Sequence, residues 1–260
     1  MVKSLVRALN GEFEPYSGMA VAVSGGVDSS LLLAAACRYY GASNCLAIIA
    51  VSPSLADYEL ADAQQLCSIL GVELIEVRSN EISNEAYRAN SGDRCFWCKQ
   101  ELFGLAVPIA AKYNLPLAYG ENFDDLQQPR AGRKSAQQHA ILAPLCNAKF
   151  TKQDVREYAR HLKLKVSEKA AAPCLASRIA VGQQVCIDSL NVVAQVESQL
   201  RDMSFVVYRA RIVGERRLLF EFAAAEIPRA KQVSPQLTEL ALQHGYLMTG
   251  INLYRSGSVA

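Results

Sequence analysis

The chain has no run of about 20 consecutive apolar residues, which is the length that a membrane-spanning helix requires. Residues 1–11 also lack the apolar core of a signal peptide. Basic and acidic residues nearly balance, at 27 against 25, so the overall charge indicates no attraction to nucleic acid or to a membrane surface. We therefore expect a cytoplasmic protein with neither a nucleic-acid partner nor a membrane partner.

Histidine is scarce. The sequence also has no stretch of basic residues interleaved with aromatic residues, and this absence counts against RNA binding. The three histidines, His139, His161 and His244, show neither the spacing of metal ligands nor that of a base beside a nucleophile. We assign them no role. The eight cysteines are typical, in a cytoplasmic protein, of free, metal-bound or catalytic thiols rather than of disulfides.

Residues 24–29, Ser-Gly-Gly-Val-Asp-Ser, stand directly between two apolar runs, Met19–Val23 and Leu31–Ala36. This order predicts a strand, a turn on two glycines and a helix. Glycine permits a positive φ and the close approach of a ligand, and the first amides of a helix have no internal partner. The segment therefore predicts a phosphate-binding loop, although a plain tight turn between strand and helix would contain the same glycines.

The loop has no lysine of the Walker A type and no third glycine at the spacing of the dinucleotide fingerprint. Asp28 and the serines supply possible helix caps, and their oxygens are suited to a metal ion held by phosphates.

Strand-like runs alternate with helical patterns over the first 160 residues. This order predicts an α/β fold with a doubly wound, mostly parallel sheet, whose ligands lie at the carboxyl ends of the strands. The predicted strands are 19–24, 45–51, 72–77 and 116–119, and the predicted helices are 29–40, 57–70, 96–112 and 152–162.

From about Gly182 the order of elements changes, which predicts a smaller C-terminal α+β domain. We therefore divide the chain into a domain of residues 1–181 and a domain of residues 182–260. The pair Gly214-Glu215 predicts a hairpin turn. The predicted elements of the second domain are helices 188–203 and 226–244 and strands 205–213, 217–222 and 246–253.

Three cysteines have neighbours that favour the reactive thiolate. Cys95 and Cys98 form a C-x-x-C pair at a predicted helix start between basic residues, and Cys174 is followed closely by Arg178. A C-x-x-C pair alone fits zinc, an iron–sulfur cluster, a dithiol or no function. The other five cysteines have apolar or ordinary surroundings and are interpreted as small hydrophobic residues; they are Cys37, Cys45, Cys67, Cys146 and Cys186.

The glycine loop resembles the pyrophosphate-binding loop of the ATP pyrophosphatase (PP-loop) superfamily, whose domain has an adenine nucleotide α-hydrolase-like fold. Further segments resemble motifs of the LarE family, which belongs to that superfamily. They are Val51-Ser52-Pro53-Ser54, Tyr87-Arg88-Ala89-Asn90, Asp93-Arg94-Cys95 through Cys98-Lys99, Asn122 with Asp124-Asp125, Ala172-Pro173-Cys174-Leu175-Ala176-Ser177-Arg178-Ile179, Arg209-Ala210-Arg211 and Tyr254-Arg255-Ser256-Gly257-Ser258.

The resemblance implies an ATP-dependent sulfur transferase that serves the synthesis of the nickel-pincer nucleotide cofactor of lactate racemase. In that family, ATP with Mg²⁺ adenylates a carboxylate of a pyridinium dicarboxylate mononucleotide and releases pyrophosphate. Sulfur then attacks the activated carbonyl, AMP leaves, and a thiocarboxylate forms. The resemblance also implies a homo-oligomer, with the second domain binding substrate or joining subunits.

By position, Cys174 matches the sulfur-bearing cysteine of the family. One branch sacrifices the sulfur of this residue, whereas another holds a 4Fe-4S cluster on three cysteines and delivers sulfide from an external donor. Since this chain has all three cysteines, the resemblance favours a cluster on Cys95, Cys98 and Cys174. A persulfide relay and sacrifice of Cys174 remain open.

The resemblance gives the remaining residues more specific roles, each with a plainer alternative. Trp97 would stack on the pyridinium ring, or pack in the core. Asp124 and Asp125 would bind magnesium or orient the adenylate, or lie in a solvated loop. Arg178, Arg209 and Arg211 would clamp the substrate phosphate, although the last two also fit a charged surface strand. The expected pyrophosphate ligands are Ser24, Gly25, Gly26, Asp28 and Ser29, with Val51 and Ser52 against the adenine.

Two rival functions share the loop. A transfer RNA thiolase or an amide-forming synthetase would use the same adenylation with another acceptor. An adenine-nucleotide-binding module would use the same fold without catalysis, although the three reactive-looking cysteines argue against it.

Overall fold

The structure is a computed structural model that describes residues 2–127, 131–170 and 173–255. Ala172 and Ser256-Gly257-Ser258 of the quoted motifs lie outside these ranges. The α-helices within them are α1 Val2–Phe13, α2 Val27–Tyr40, α3 Asp57–Leu70, α4 Glu85–Ala89, α5 Arg94–Lys112, α6 Ala131–Gln138, α7 Pro144–Asn147, α8 Lys152–His161, α9 Ile187–Asp202, α10 Ile227–Gln232 and α11 Ser234–Gln243. The strands are β1 Met19–Ala22, β2 Cys45–Val51, β3 Glu73–Arg78, β4 Leu117–Tyr119, β5 Tyr208–Gly214, β6 Arg217–Phe222 and β7 Leu247–Leu253.

The chain divides into two compact units. The first contains the described residues of 1–81 and 95–172, and the second contains those of 82–94 and 173–260. Packing therefore groups residues 173–181 with the second unit. The functional division at residue 181 stays a prediction.

The first unit contains a parallel sheet of four strands in the order β3-β2-β1-β4, flanked by helices, which confirms the predicted α/β fold. All four residues of β1 are buried, as expected for a parallel strand that is covered on both faces. Ala22 is in register with Ile48 of β2 and Tyr119 of β4. The carboxyl ends of these strands therefore meet at one edge, where the glycine loop follows β1.

Helix α2 follows that loop, and its middle turns have no polar face. Residues 29–36 are all buried, so the helix is enclosed by its neighbours rather than lying on a surface. Gly41 has a positive φ of 84° and follows the last turn, where its N–H donates to the carbonyl of Cys37. The helix begins two residues earlier than predicted, at Val27.

The second unit contains a sheet in the order β5-β6-β7, in which β5 and β6 are antiparallel and β6 and β7 are parallel. The predicted hairpin is confirmed, with Glu215 and Arg216 as its turn residues. The single helix predicted over 226–244 is wrong, because α10 ends at Gln232 and α11 begins at Ser234. Pro235 lies in the first turn of α11, where a backbone N–H would have no partner within the helix, so its absence costs nothing there. In a continuous helix over 226–244, the same missing N–H and the proline ring would break the hydrogen-bond pattern.

Within the described ranges, no helix combines the length and apolar content that crossing a membrane would require.

The enclosed position of α2 predicts a large loss of stability on truncation of its core side chains. Leu32 is fully buried in the core of the first unit, so Leu32→Ala should lower the free energy of unfolding by about 2–5 kcal/mol. Ile69 is 67% exposed, so Ile69→Ala in the same unit should change it by no more than about 0.5 kcal/mol. Urea denaturation followed by circular dichroism measures both, and equal losses would contradict the packing described.

Candidate nucleotide and thiol sites

The loop between β1 and α2 is closed by a small network of hydroxyl hydrogen bonds. The Oγ of Ser29 accepts from the backbone N–H of Ser24 at 3.1 Å and donates to the carbonyl of Gly26 at 3.2 Å. The side chain of Ser29 is buried, whereas Ser24 is exposed. Ser29 therefore holds the shape of the loop from inside, and a direct role in binding phosphate stays a prediction.

Gly25 approaches helix α3 more closely than any other residue type could. Its φ is +70°, and a Cβ at this position would lie 2.5 Å from both the backbone carbonyl oxygen and the Oε2 of Glu59. Gly26 follows in an extended conformation as the N-cap of α2. The two glycines thus have different uses: the first permits the close contact and the second begins the helix.

Asp28 in the first turn of α2 joins two distant segments. Its Oδ1 accepts from the Nδ2 of Asn122 at 3.0 Å, and its Oδ2 forms an ion pair with the Nζ of Lys152 at the start of α8. Gly120, just after β4, permits this arrangement, because a Cβ there would lie 2.5 Å from the backbone nitrogen of Ser29. A lysine thus lies beside the loop although the loop itself contains none.

The two acidic residues after β4 are engaged in local structure. The Oδ2 of Asp124 accepts from the backbone N–H of Lys152 at 2.8 Å, so it satisfies a first-turn amide of α8. Asp125 exchanges hydrogen bonds with Asn122, its Oδ2 accepting from the backbone N–H at 3.3 Å and its own N–H donating to Oδ1 at 3.2 Å. Their proposed contacts with magnesium or the adenylate stay predictions.

Next to this segment, Tyr119 donates to the Oε2 of Glu121 at 2.6 Å, and Arg133 pairs with the Oε1 of Glu121 at 3.0 Å. Burial, followed by this carboxylate, raises the pKa of the Tyr119 phenol. The phenol therefore keeps its proton and remains the donor.

Val51 and Ser52 lie where β2 ends, at the same edge of the sheet as the loop. The carbonyl of Val51 accepts from Ser79, and the Oγ of Ser52 accepts from the backbone N–H of Ser54 at 3.2 Å. Both side chains are half-buried. Their position suits the predicted contact with adenine, which stays a prediction.

Cys95 and Cys98 lie in the first two turns of α5, three residues apart and hence on one side of the helix. Cys95 is exposed and Cys98 is half-buried. A Cβ on Gly132 of α6 would lie 3.4 Å from the carbonyl oxygen of Cys95, so α6 packs closely on the start of α5.

Between the two cysteines, the half-buried Trp97 meets the ring of Phe96 edge to face, with centroids 5.0 Å apart. Stacking of Trp97 on a pyridinium ring stays a prediction.

Cys174, in the second unit, is exposed and immediately precedes a short 3₁₀ turn. The buried guanidinium of Arg178 donates to the carbonyl of Cys174 at 3.2 Å and to that of Pro173. The same guanidinium pairs with Glu197 in a bidentate arrangement, at 2.9 and 3.0 Å. Arg178 thus holds the backbone that carries the thiol, and its role as a phosphate clamp stays a prediction.

Arg209 and Arg211 alternate on β5 and share one face of the second sheet, as the spacing predicts. Arg209 is buried, with its guanidinium 4.8 Å from the ring centroid of Tyr254. Arg211 pairs with Glu221 at 2.7 Å and donates to the carbonyl of Ser177 at 3.0 Å. Arg211 therefore also supports the turn after Cys174, and contacts of either arginine with a substrate phosphate stay predictions.

Two residues of the quoted motifs fix the same turn from α4 and α5. The buried Asn90 donates to the carbonyls of Ala180 at 2.9 Å and Gln183 at 3.0 Å. Arg94 donates to the Oδ1 of Asn90 and to the carbonyl of Ala176, both at 2.7 Å. These residues hold the segment after Cys174 through its backbone carbonyls.

Within the described ranges, no three His, Cys, Asp or Glu side chains form a group that could hold a metal ion. The eight cysteines, all of which lie in the described part of the chain, form no disulfide. Cys95 and Cys98 belong to the first unit and Cys174 to the second.

A parallel α/β sheet with a glycine loop at its carboxyl edge, accompanied by a second small sheet, is consistent with a PP-loop nucleotide-binding protein. The chain belongs to the same family as the uncharacterized protein slr1717 of Synechocystis sp., with which it is 33% identical over all of its length and 98% of the relative. No family model matches the chain.

Two further relatives have names that state a function. The pyridinium-3,5-bisthiocarboxylic acid mononucleotide synthase of Lactiplantibacillus plantarum is 28% identical over 91% of this chain and 87% of its own. The NH(3)-dependent NAD(+) synthetase of Methanoregula boonei is 43% identical over 56 residues, which are 22% of this chain and 23% of the synthetase. Both names are those of biosynthetic enzymes.

The sequence did not point to Lys152 or Glu197. Lys152 pairs with Asp28, 124 residues away, and Glu197 pairs with Arg178, 19 residues away. No local pattern identifies either one, because an acidic or basic residue on a helix is usually solvated. Asn90 and Arg94 belong to the LarE-like segments 87–90 and 93–95, but no sequence pattern indicated that they contact the segment after Cys174. Asparagine is enriched at αL positions that end helices, and Asn90, with a φ of 52°, occupies such a position after α4, so the residue type was the available signal.

The two glycines at 25 and 71 provide a matched pair for testing the loop. Both have a φ near 70°, but only at Gly25 would a Cβ meet other atoms. Gly71→Ala should cost about 1–2 kcal/mol of folding free energy from backbone strain alone. Gly25→Ala should cost clearly more, because Glu59 must also move. Chemical denaturation of both variants measures the difference, and equal costs would mean that the loop can move away from α3.

Proposed function

We propose that this protein is an ATP-dependent sulfur transferase, which adenylates a carboxylate of a pyridinium dicarboxylate mononucleotide and replaces oxygen by sulfur. The observation that carries adenylation is the loop between β1 and α2, in which two glycines and the first turn of a helix lie at the carboxyl edge of the sheet. The acceptor is proposed from the name of the L. plantarum relative.

In the proposed reaction, a carboxylate oxygen of the mononucleotide attacks the α-phosphorus of ATP, and the bond to the β-phosphate oxygen breaks. The backbone amides at the start of α2 would stabilise the departing pyrophosphate. Lys152, held beside the loop by its ion pair with Asp28, would donate a hydrogen bond to a phosphate oxygen. A sulfur nucleophile then attacks the acyl adenylate, AMP leaves, and a thiocarboxylate remains.

Magnesium bound to the phosphates would neutralise part of their charge. Asp124 and Asp125 each use a carboxylate oxygen in a hydrogen bond to the backbone, and the described residues contain no group of three His, Cys, Asp or Glu side chains that could hold such an ion. We therefore derive no step from a protein-bound magnesium ion.

Cysteine thiolates are the right donors for an iron–sulfur cluster. Cys95 and Cys98 lie in the first unit and Cys174 in the second, and no step is derived through a cluster. A 4Fe-4S cluster on Cys95, Cys98 and Cys174 stays a prediction, beside sacrifice of the Cys174 sulfur. In the sacrificial route the Cys174 thiolate displaces AMP to form a thioester. A base then removes the Cα proton, the Cβ–S bond breaks, and dehydroalanine remains.

Pyrophosphate release tests the proposed adenylation. The purified protein with ATP, magnesium and the dicarboxylate mononucleotide should release pyrophosphate and form a thiocarboxylate detectable by mass spectrometry. Asp28→Ala should slow this release about 100-fold, because it removes the contact that holds Lys152 beside the loop.

The exposed Asp57 in the first turn of α3 provides the control, and Asp57→Ala should release pyrophosphate at the wild-type rate. If the wild-type protein releases none, the proposed function is wrong. An unchanged rate in Asp28→Ala would instead refute the assignment of the loop.

The source of sulfur is tested by anaerobic purification, iron and sulfide analysis, and intact mass after turnover. A cluster should yield protein-bound iron that is lost in Cys95→Ser and Cys98→Ser, with many turnovers at constant protein mass. Sacrifice of Cys174 should yield one turnover and a protein lighter by one H₂S. Cys186→Ser serves as the control, because Cys186 caps α9 and has no proposed role in sulfur transfer.

A further inference from the structure

The ammonium group of Lys169 lies beneath the glycine loop and has three acceptors. Its Nζ donates to the carbonyl oxygen of Gly25 at 3.0 Å, and it pairs with Glu59 at 3.0 Å and Asp62 at 2.5 Å. The side chain is 18% exposed. An ammonium group has three N–H donors, so these acceptors account for all of them. Lys169 therefore has no donor left for a phosphate oxygen in this arrangement.

The backbone of Lys169 is held as firmly as its side chain. Arg156 of α8 donates to the carbonyl of Ser167 at 2.6 Å and to that of Lys169 at 2.8 Å. The Nζ also lies 5.2 Å from the ring centroid of Tyr58, a favourable position for a cation. Contacts at both ends fix the reach of this side chain toward the loop.

The hydrogen bond to Gly25 fixes the orientation of one peptide group. In a planar trans peptide, the carbonyl of one residue and the N–H of the next point in opposite directions. Because Lys169 holds the Gly25 carbonyl toward α3, the N–H of Gly26 points away from α3. A peptide flanked by two glycines can rotate at little cost, so the orientation needs an external contact to be fixed.

We propose that Lys169 is a positioning residue, which keeps the N–H of Gly26 directed at the β- and γ-phosphates of a bound nucleoside triphosphate without contacting them itself. This inference rests on the proposed function, since it requires that the loop binds the pyrophosphate end of ATP. It predicts that Lys169 affects recognition of the terminal phosphates and leaves recognition of the nucleoside unchanged.

Lys169→Met, which removes the donor and retains the aliphatic stem, tests the proposal. Calorimetric titration should show affinity for ATP reduced about 10-fold, corresponding to one hydrogen bond to an anion, and affinity for AMP changed less than about 2-fold. Lys165→Met is the matched control, because the side chain of Lys165 is exposed and its Nζ donates to Gln65, at 3.2 Å, rather than to the loop, so both affinities should stay at the wild-type level.

Asp62→Asn separates the hydrogen bond to Gly25 from the ion pair. It removes one charge beside Lys169 but leaves the bond to Gly25, so ATP affinity should stay within about 2-fold of wild type. If Lys169→Met does not fold, as judged by thermal denaturation, Lys169→Leu, which also lacks a donor, replaces it with the same expectation.

Two results would overturn the proposal. Unchanged ATP affinity in the Lys169 variant would show that the peptide keeps its orientation unaided, and equal losses for ATP and AMP would show a general structural role. Failure of the wild-type protein to bind ATP would instead refute the proposed function, so the two failures are distinguishable.

Discussion

The glycine loop depends on two close backbone contacts that only glycine permits. Gly25 lies against Glu59 of α3, and Gly120 lies against the backbone of Ser29, with 2.5 Å between a Cβ at either position and its neighbour. The loop is therefore fixed by helix α3 and by the segment after β4. The second contact brings Asn122 to hydrogen-bonding distance of Asp28. Close backbone packing and the polar contacts of the site therefore occur at the same points of the loop.

The second unit has a comparable constraint in a buried ion pair. The guanidinium of Arg178 donates to both carboxylate oxygens of Glu197, which also accepts from the backbone N–H of Ala210 at 3.1 Å. This pair joins α9, β5 and the turn after Cys174. Losing one partner would leave the other as an unpaired buried charge, at a cost of about 3–5 kcal/mol. The thiol of Cys174 is consequently carried by a backbone that has few alternative positions.

The sequence allowed the fold to be predicted where a single pattern extends over a whole element. Strands β1 and β2 and helices α2 and α3 were recognised from uninterrupted apolar runs or helical periodicity, with ends within about two residues, the usual uncertainty of such boundaries. Helix α1 was missed, although Leu9 and Phe13 recur at helical spacing. The break between α10 and α11 was missed, although a proline such as Pro235 is typical of the first turn of a new helix.

The site was predictable only in part, for a physical reason. The glycines, serines and aspartate of the loop are contiguous in the sequence, so residues 24–29 could be recognised directly. The partners of that loop are distant in sequence: Asn122 and Lys152 lie 94 and 124 residues from Asp28, and Lys169 lies 144 residues from Gly25. Such contacts are created by the strand order, and a sequence pattern contains no record of them.

The charges around the loop limit what can attract a triphosphate there. The ammonium groups of Lys152 and Lys169 face the carboxylates of Asp28, Glu59 and Asp62, so acidic groups outnumber basic ones within these ion pairs. Side-chain charge among these residues therefore does not favour an anion. In the proposed complex, the attraction must come mainly from oriented N–H groups and the positive end of α2. A peptide dipole attracts an anion only when its N–H faces the anion. A residue that fixes the orientation of a loop peptide, such as Lys169, would therefore contribute to binding more through that orientation than through its own charge.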